Sequence, residues 1–187
     1  MVNIDAKSKP CPMPVIMAKK ELEKGQPFTI TVDNETAVGN LTRLANAQGC
    51  TLGLTKGDGE FTLEFSAPSK KEEKVKADTY AVFFNKNSVG LGSDELGYNL
   101  AKMMLYTLTQ SEDVPAYILL MNGGVKLAAN EESAAHLNTL IDMGCTVMVC
   151  GTCLNFFGIA GELKAGIVSN MYDILTAMQQ VSKVITA

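Results

Sequence analysis

The chain has 187 residues of ordinary globular composition, 47% hydrophobic and 19% charged, with a formal net charge of -4. No apolar stretch approaches the roughly 20 residues that a membrane-spanning helix needs, and a mildly acidic chain lacks the basic patch of a nucleic-acid binder. The first residues are polar and include prolines, unlike the basic and apolar segments of a secretory signal. We therefore expect a cytoplasmic protein that binds neither membranes nor nucleic acids.

The five cysteines are an odd number, which does not suit a fully paired disulfide framework. In a reducing cytosol, thiols serve in catalysis, redox exchange or metal binding more often than as structural crosslinks. Cys50 and Cys145 each stand where a predicted strand begins, so we interpret them as core residues. Cys11, Cys150 and Cys153 remain as the candidate functional groups.

The pattern of residues 1–66 predicts the element order β-α-β-α-β-β. Both helices are expected on one face of a four-stranded sheet, which makes a two-layer sandwich. Asp33 and Thr36 are candidate caps of the second helix, and Gly57-Asp-Gly59 is a strong hairpin signal. The elements are predicted over residues 2–5, 15–22, 28–32, 38–48, 50–56 and 60–66.

Cys11 lies in the stretch Pro10-Cys-Pro-Met-Pro14, directly before the first predicted helix. Pro12 and Pro14 fit the first turn of a helix, where amides have no intrahelical acceptor and a fixed φ preorganises the chain. The positive end of the helix dipole favours an anion there, so the nucleophilic thiolate form of Cys11 should be enriched. The alternative is an incidental surface cysteine in a proline-rich turn. Because the only histidine, His136, lies in the other segment, sulfur transfer through a persulfide fits better than a Cys-His hydrolase.

The stretch from Cys11 to Pro14, CPMP, is an instance of the Cys-Pro-x-Pro motif of the TusA/SirA sulfur-carrier family. It stands between the first strand and the first helix, where that family carries it. Residues 1–66 resemble the family over their whole length. The resemblance implies that Cys11 accepts a sulfane sulfur from a cysteine desulfurase and hands it on as a persulfide.

Residues 67–77 carry four lysines and two glutamates among mostly polar neighbours, as expected of a solvated connector. They predict a linker between one domain of residues 1–66 and another of residues 78–187.

The second segment alternates strands and helices, which predicts a three-layer α/β domain with a mainly parallel sheet. Ligands of such sheets bind beyond the carboxyl ends of the strands, where loops 85–92, 122–129 and 151–160 should gather. Asn122-Gly-Gly124 indicates a turn, with an anion-binding concavity as the alternative. Strands are predicted over residues 80–84, 114–121 and 145–150, helices over residues 93–110, 130–144 and 169–180, and a short apolar end over residues 184–186.

Cys150-Gly-Thr-Cys153 follows the third predicted strand, and Gly151 allows a tight turn. A Cys-x-x-Cys pair can close a disulfide, exchange thiols or supply half of a metal site. Zinc would need further ligands, and Cys145 and His136 do not form a second paired spacing, so no metal is predicted. Cys150 can also be read simply as the buried last residue of a strand.

Residues 78–187 resemble the DsrE/DsrF-like family of small sulfur-relay proteins. In active members a cysteine follows the central strand a few residues before a glycine; Cys150, with Gly158 downstream, matches that position, and Cys153 would be an additional, resolving thiol. The order of the two domains, with VCGTCLNFFGI and SNMYDI, resembles the YedF-like family, which is sulfurtransferase-like and associated with selenium metabolism. The resemblance alone implies selenium, since these residues do not distinguish it from sulfur.

The motifs and resemblances together predict a sulfurtransferase-like sulfur or selenium carrier that relays a persulfide-type chalcogen through Cys11 and the Cys150/Cys153 pair. No cofactor is predicted. The expected partners are a cysteine desulfurase or other donor, an acceptor protein such as selenophosphate synthetase, and a second copy of the chain through the C-terminal domain. Two alternatives stay open: a dithiol-disulfide redox module centred on Cys150 and Cys153, and a non-catalytic regulator that docks through its TusA-like domain. The supporting residues are Pro12, Pro14 and Gly151.

Overall fold

The computed structural model describes residues 1–69 and 79–187, which form two compact units, one on each side of the gap. Each unit has its own sheet. Most of the predicted linker lies outside the described residues. At its described start, the Ser69 amide donates to the Gln48 carbonyl at 3.2 Å and the Ser69 hydroxyl donates to the Gly49 carbonyl at 2.6 Å.

The first unit has the predicted order β-α-β-α-β-β. Its elements are β1 (Val2–Asp5), α1 (Met13–Leu22), β2 (Phe28–Val32), α2 (Glu35–Ala47), β3 (Leu52–Lys56) and β4 (Phe61–Phe65). The spatial strand order is β1-β2-β4-β3; β1 and β2 are parallel, and the other pairs are antiparallel. The two helices contact each other and the sheet. The rings of Phe28 and Phe65 stack 4.7 Å apart in the core.

The start of α2 differs from the sequence prediction. Asn34 caps the helix, because its side chain accepts a hydrogen bond from the Ala37 amide at 2.8 Å; the prediction of Asp33 or Thr36 is wrong. The Asp33 carboxylate instead accepts from the Ser8 amide at 2.6 Å. That hydrogen bond holds the pKa of the Asp33 carboxyl below its ordinary value. Asp33 thereby fixes Ser8, whose φ is +57°, in the segment that leads from β1 to Cys11.

The second unit is an α/β domain around a five-stranded sheet whose strands are all parallel. Its strands are β5 (Tyr80–Phe84), β6 (Tyr117–Leu120), β7 (Thr146–Cys150), β8 (Ile167–Ser169) and β9 (Lys183–Thr186). Its helices are α3 (Asp94–Thr109), α4 (Lys126–Ala129), α5 (Glu131–Asp142), α6 (Gly151–Phe156) and α7 (Met171–Gln180). The spatial order β8-β7-β6-β5-β9 places β7, which ends in Cys150, inside the sheet.

Several short elements of this unit were not predicted. Strand β8 occupies residues just before the point where a helix was predicted to begin; α7 begins instead at Met171, after the cap residue Asn170. Helix α6 and a 3-10 turn at Asn122–Val125 occupy segments predicted as loops, and the apolar end forms β9. These elements are too short to show a hydrophobic period of their own.

Gly124 provides a test of the packing between β5 and the turn after β6. A Cβ atom at Gly124 would overlap the Phe84 carbonyl, whereas a Cβ at Gly161 would meet open space. We expect Gly124→Ala to lower the free energy of unfolding by about 1–3 kcal/mol, and Gly161→Ala to leave it nearly unchanged. All five tyrosines lie in the second unit and the chain has no tryptophan, so tyrosine fluorescence during urea unfolding reports on this unit alone. Equal midpoints for the two variants would contradict the described packing.

Candidate functional site

Cys11 is exposed in the turn that joins β1 to α1. Pro12 immediately precedes α1, Pro14 is the second residue of the helix, and no side chain caps it. The Met13 amide donates to the Pro10 carbonyl at 2.8 Å, which closes the turn around the cysteine. The prolines thus hold the sulfur next to the start of α1, as the motif predicted.

A small pocket of about 30 Å³ lies beside Cys11, about the share of volume that one water molecule has in the liquid. The Nδ2 atom of Asn40 lies 4.0 Å from the Cys11 Sγ. Asn40 is only 3% exposed, and Arg43 donates to its Oδ1 atom, which directs the amide NH2 group toward the sulfur. The other residues that line the pocket are Lys9, Pro12, Pro14, Val15, Asn34, Thr36 and Ala37.

The walls of this pocket suit an added atom that carries negative charge. They come from the starts of both α1 and α2, where the helix dipoles are positive, and they include the Asn40 amide donor. Sequence reasoning did not identify Asn40. The sequence offered one signal for it: Asn40 is a polar residue on the buried face of α2, three positions after Ala37 and next to Leu41.

Cys150 and Cys153 form an asymmetric pair of free thiols. Cys150 ends β7 and is 3% exposed, whereas Cys153 lies on α6 and is half-buried. Burial raises the pKa of the Cys150 thiol to about 11, although the backbone amides of Cys153 and Thr152 donate to its sulfur. The neighbouring Cys153 side chain adds to this rise in the pKa of Cys150. Gly151, expected to support the site, is the first residue of α6.

The backbone amide of Asn122 donates a hydrogen bond to the Cys153 Sγ at 3.1 Å. Asn122 begins the turn after β6 and has a φ of +46°. The segments that follow β6 and β7 therefore meet at the carboxyl edge of the sheet. The Asn122 amide fixes the position of the Cys153 sulfur at this edge.

The other residues considered in the sequence analysis pack against neighbouring parts of the fold. Cys50 and Cys145 are buried, and burial raises the pKa of the Cys145 thiol to about 12. The His136 ring contacts the Tyr106 ring edge-on, with centroids 5.5 Å apart. Ser93, the residue at which a helix was predicted to begin, caps α3. Residues 1–69 and 79–187 contain no group of three or more metal-ligating side chains.

The comparison with protein families accounts for both units. The DsrE/DsrF-like family matches residues 78–187, more than half of the sequence, and the chain belongs to this family. The sulfurtransferase TusA family matches residues 2–66, so the first unit is a TusA-like domain. Both are families of the sulfur-relay and sulfurtransferase type. Within the described residues, no helix has the length and apolar character to cross a bilayer.

Solved structures similar to parts of the chain include a SirA-like protein from Desulfitobacterium hafniense, which is 34% identical, covers 37% of this chain and 100% of its own, and has a TM-score of 0.35. The ychN protein from E. coli is 16% identical over 60% of this chain and 100% of its own, with a TM-score of 0.44. A conserved protein of unknown function from Bacteroides thetaiotaomicron is 18% identical over 58% of this chain and 94% of its own, with a TM-score of 0.43. No curated protein matches the chain significantly.

The unequal burial of Cys150 and Cys153 predicts that their thiols react at different rates. In the native protein near neutral pH, iodoacetamide should alkylate Cys153 at least about tenfold faster than Cys150, because the thiolate reacts and burial keeps Cys150 protonated. The Cys150 rate should climb as the pH rises toward its pKa of about 11. Peptide mass spectrometry gives the rates, with buried Cys145 as the internal control. Equal alkylation of Cys150 and Cys153 near neutral pH would contradict this geometry.

Proposed function

We propose that the protein is a sulfur or selenium carrier that holds a persulfide-type chalcogen on Cys11 and relays it through the Cys150/Cys153 pair. One observation supports the proposal above all: an exposed Cys11 thiol stands beside a pocket of about 30 Å³ in a domain that matches sulfurtransferase TusA. A pocket of that size suits one added atom rather than a whole ligand.

Loading of Cys11 needs only a nucleophilic thiolate and a persulfide donor. The Cys11 sulfur attacks the terminal sulfur of the donor persulfide, a new S–S bond forms, and the old S–S bond breaks. The electron pair leaves on the donor's thiolate, so no oxidant or reductant is consumed. The Asn40 amide and the starts of α1 and α2 then stabilise the negative charge of the added sulfur.

The geometry of the second unit favours Cys153 as the thiol that first accepts the chalcogen. Cys153 is more exposed than Cys150, and its sulfur accepts a hydrogen bond from the Asn122 amide. Cys150, in contrast, is protonated near neutral pH. This reverses the roles implied by the family resemblance, in which Cys150 is the active thiol and Cys153 resolves it. In the reversed order, the chalcogen stays on Cys153 until an acceptor thiolate attacks its terminal atom; a new bond to that atom forms, its bond to Cys153 breaks, and the electron pair returns to the Cys153 sulfur.

The proposed donor is a cysteine desulfurase, and the proposed acceptor is a protein such as selenophosphate synthetase. Both follow from the resemblance, as do the selenium role and a second copy of the chain bound through the C-terminal domain; the cytoplasmic location is proposed from the composition and patterning of the sequence. The domain bounds 1–66 and 78–187, with a linker between them, complete the proposal. A linker would raise the effective concentration of one thiol near the other by tethering them.

Loading by a desulfurase tests the assignment of Cys11. With cysteine and then selenocysteine as substrate, we expect a mass gain of one sulfur or selenium atom on the Cys11 peptide. Cys11→Ser should reduce desulfurase-dependent loading of the chain at least about tenfold because the thiolate is the nucleophile. The matched control is Cys50→Ala, which removes a buried cysteine of the same unit and should load like the parent protein. Undiminished loading of Cys11→Ser would overturn the assignment.

The contact between the Cys150 and Cys153 side chains supports a second candidate function, dithiol-disulfide exchange. This candidate predicts a reversible disulfide with a defined reduction potential that Cys11→Ser leaves unchanged. In glutathione redox buffers, the fraction of disulfide can be measured by mass spectrometry after thiol trapping. The relay predicts in addition that Cys153→Ser still accepts sulfur on Cys11 but no longer passes it to the second unit. Normal disulfide exchange with no chalcogen on any cysteine would favour the redox module.

A further inference from the structure

The carboxyl edge of the parallel sheet contains a pocket of about 360 Å³ that is lined in part by Asn122, the residue whose amide contacts Cys153. This volume lies within the range of small-molecule sites, about 300–1,000 Å³. Asn122 joins the pocket to the sulfur, because it lines the pocket and its amide donates to the Cys153 Sγ at 3.1 Å. The other lining residues are Asn85, Lys86, Asn87, Ser88, Asp94 and Gly123.

The walls of the pocket are held in place by packing of the backbone. Gly97 on α3 lies so close to Val89 that an added Cβ would be 2.9 Å from the Val89 carbonyl oxygen, and the Val89 amide donates to the Gly97 carbonyl at 2.9 Å. Gly124 packs still more tightly against the Phe84 carbonyl, whose oxygen an added Cβ would overlap. The Lys86 Nζ donates to the Gly90 carbonyl at 3.2 Å. A ligand would therefore meet a preformed site, which lowers the entropic cost of binding.

The side chains that line the pocket suit a ligand that carries one positive and one negative charge. Lys86 supplies one ammonium and Asp94 one carboxylate, and the remaining side chains are neutral hydrogen-bonding groups. The Oδ1 atom of Asn85 is buried and has no hydrogen-bond partner among the described residues. Because this atom is not accessible to solvent, the charged groups that a ligand can reach in the pocket are Lys86 and Asp94. Balanced charge suits a zwitterion better than a dianion such as thiosulfate.

We propose that this pocket binds the amino-acid head of a small thiol or persulfide of the cysteine class and presents its sulfur to Cys153. The inference rests on the proposed chalcogen relay. Asp94 accepts from the ligand ammonium, and Lys86 binds its carboxylate. The Cys153 thiolate attacks the terminal sulfur of the bound persulfide; the new S–S bond forms as the old one breaks, and the electron pair leaves with the departing cysteine thiolate.

Calorimetric binding to the full chain tests the pocket without any sulfur transfer. The probe is S-methyl-L-cysteine, a zwitterion with no free thiol; methylthiopropanoate lacks its ammonium, and methylthioethylamine lacks its carboxylate. We expect the two analogues to bind at least about tenfold more weakly because each leaves a charged partner unsatisfied. The substitutions Asp94→Asn and Lys86→Met should each weaken the binding of S-methyl-L-cysteine by about tenfold. Glu95→Gln is the matched control, since it removes the same charge from the next, exposed residue, which does not line the pocket.

A rate measurement links the pocket to Cys153. Persulfidation of Cys153 by cysteine persulfide should be about tenfold slower in Asp94→Asn than in Glu95→Gln, whereas inorganic polysulfide, which has no amino-acid head, should load both variants alike. No binding of S-methyl-L-cysteine, or binding and rates that Asp94→Asn and Lys86→Met leave unchanged, would overturn the inference while leaving desulfurase loading of Cys11 intact. Binding without loading of Cys153 by either sulfur source would overturn the relay and the transfer step with it.

Discussion

The hydrogen bond from the Asn122 amide to the Cys153 sulfur is the contact on which the carboxyl edge of the parallel sheet depends. Beyond the end of β6, the Asn122 amide has no ladder partner, and the Cys153 sulfur accepts its hydrogen bond instead. The positive φ of Asn122 turns its amide toward the sulfur, and the same turn contacts α6. One interaction thereby satisfies the backbone, positions Cys153 and forms one wall of the neighbouring pocket.

The two units expose their thiols by different physical means. Cys11 is exposed in a turn stiffened by prolines, beside a small pocket of about 30 Å³. Cys153 is half-buried between a backbone donor and the protonated thiol of Cys150, and the residue that donates to it lines a pocket large enough for a small molecule. The first arrangement suits exchange with a protein that brings its own persulfide to the surface. The second suits exchange in which the pocket orients the reacting partner.

The sequence predicts those features that repeat along the chain or occupy a motif. The apolar strands and the periodic helices gave the correct layer order and the parallel second sheet, and the helix predicted to begin at residue 93 is capped by Ser93. Asn34 was missed because asparagine, aspartate and threonine are all acceptable caps, so only the backbone geometry selects among neighbours. Strand β8 has three residues and shows no period. The roles of Asn40 and of the Asn122 amide depend on contacts between residues distant in sequence, 29 and 31 positions apart.

A single-turnover transfer experiment tests the relay most directly. The full chain is loaded by a desulfurase with isotopically labelled cysteine, the donor is removed, and the labelled sulfur on each cysteine peptide is followed over time by mass spectrometry. The account predicts that label leaves Cys11 and appears on Cys153 while the total on the chain stays constant, and that Cys153→Ser traps it on Cys11. Label that stays on Cys11 in the parent protein until an external thiol removes it, and never reaches Cys153, would contradict the account.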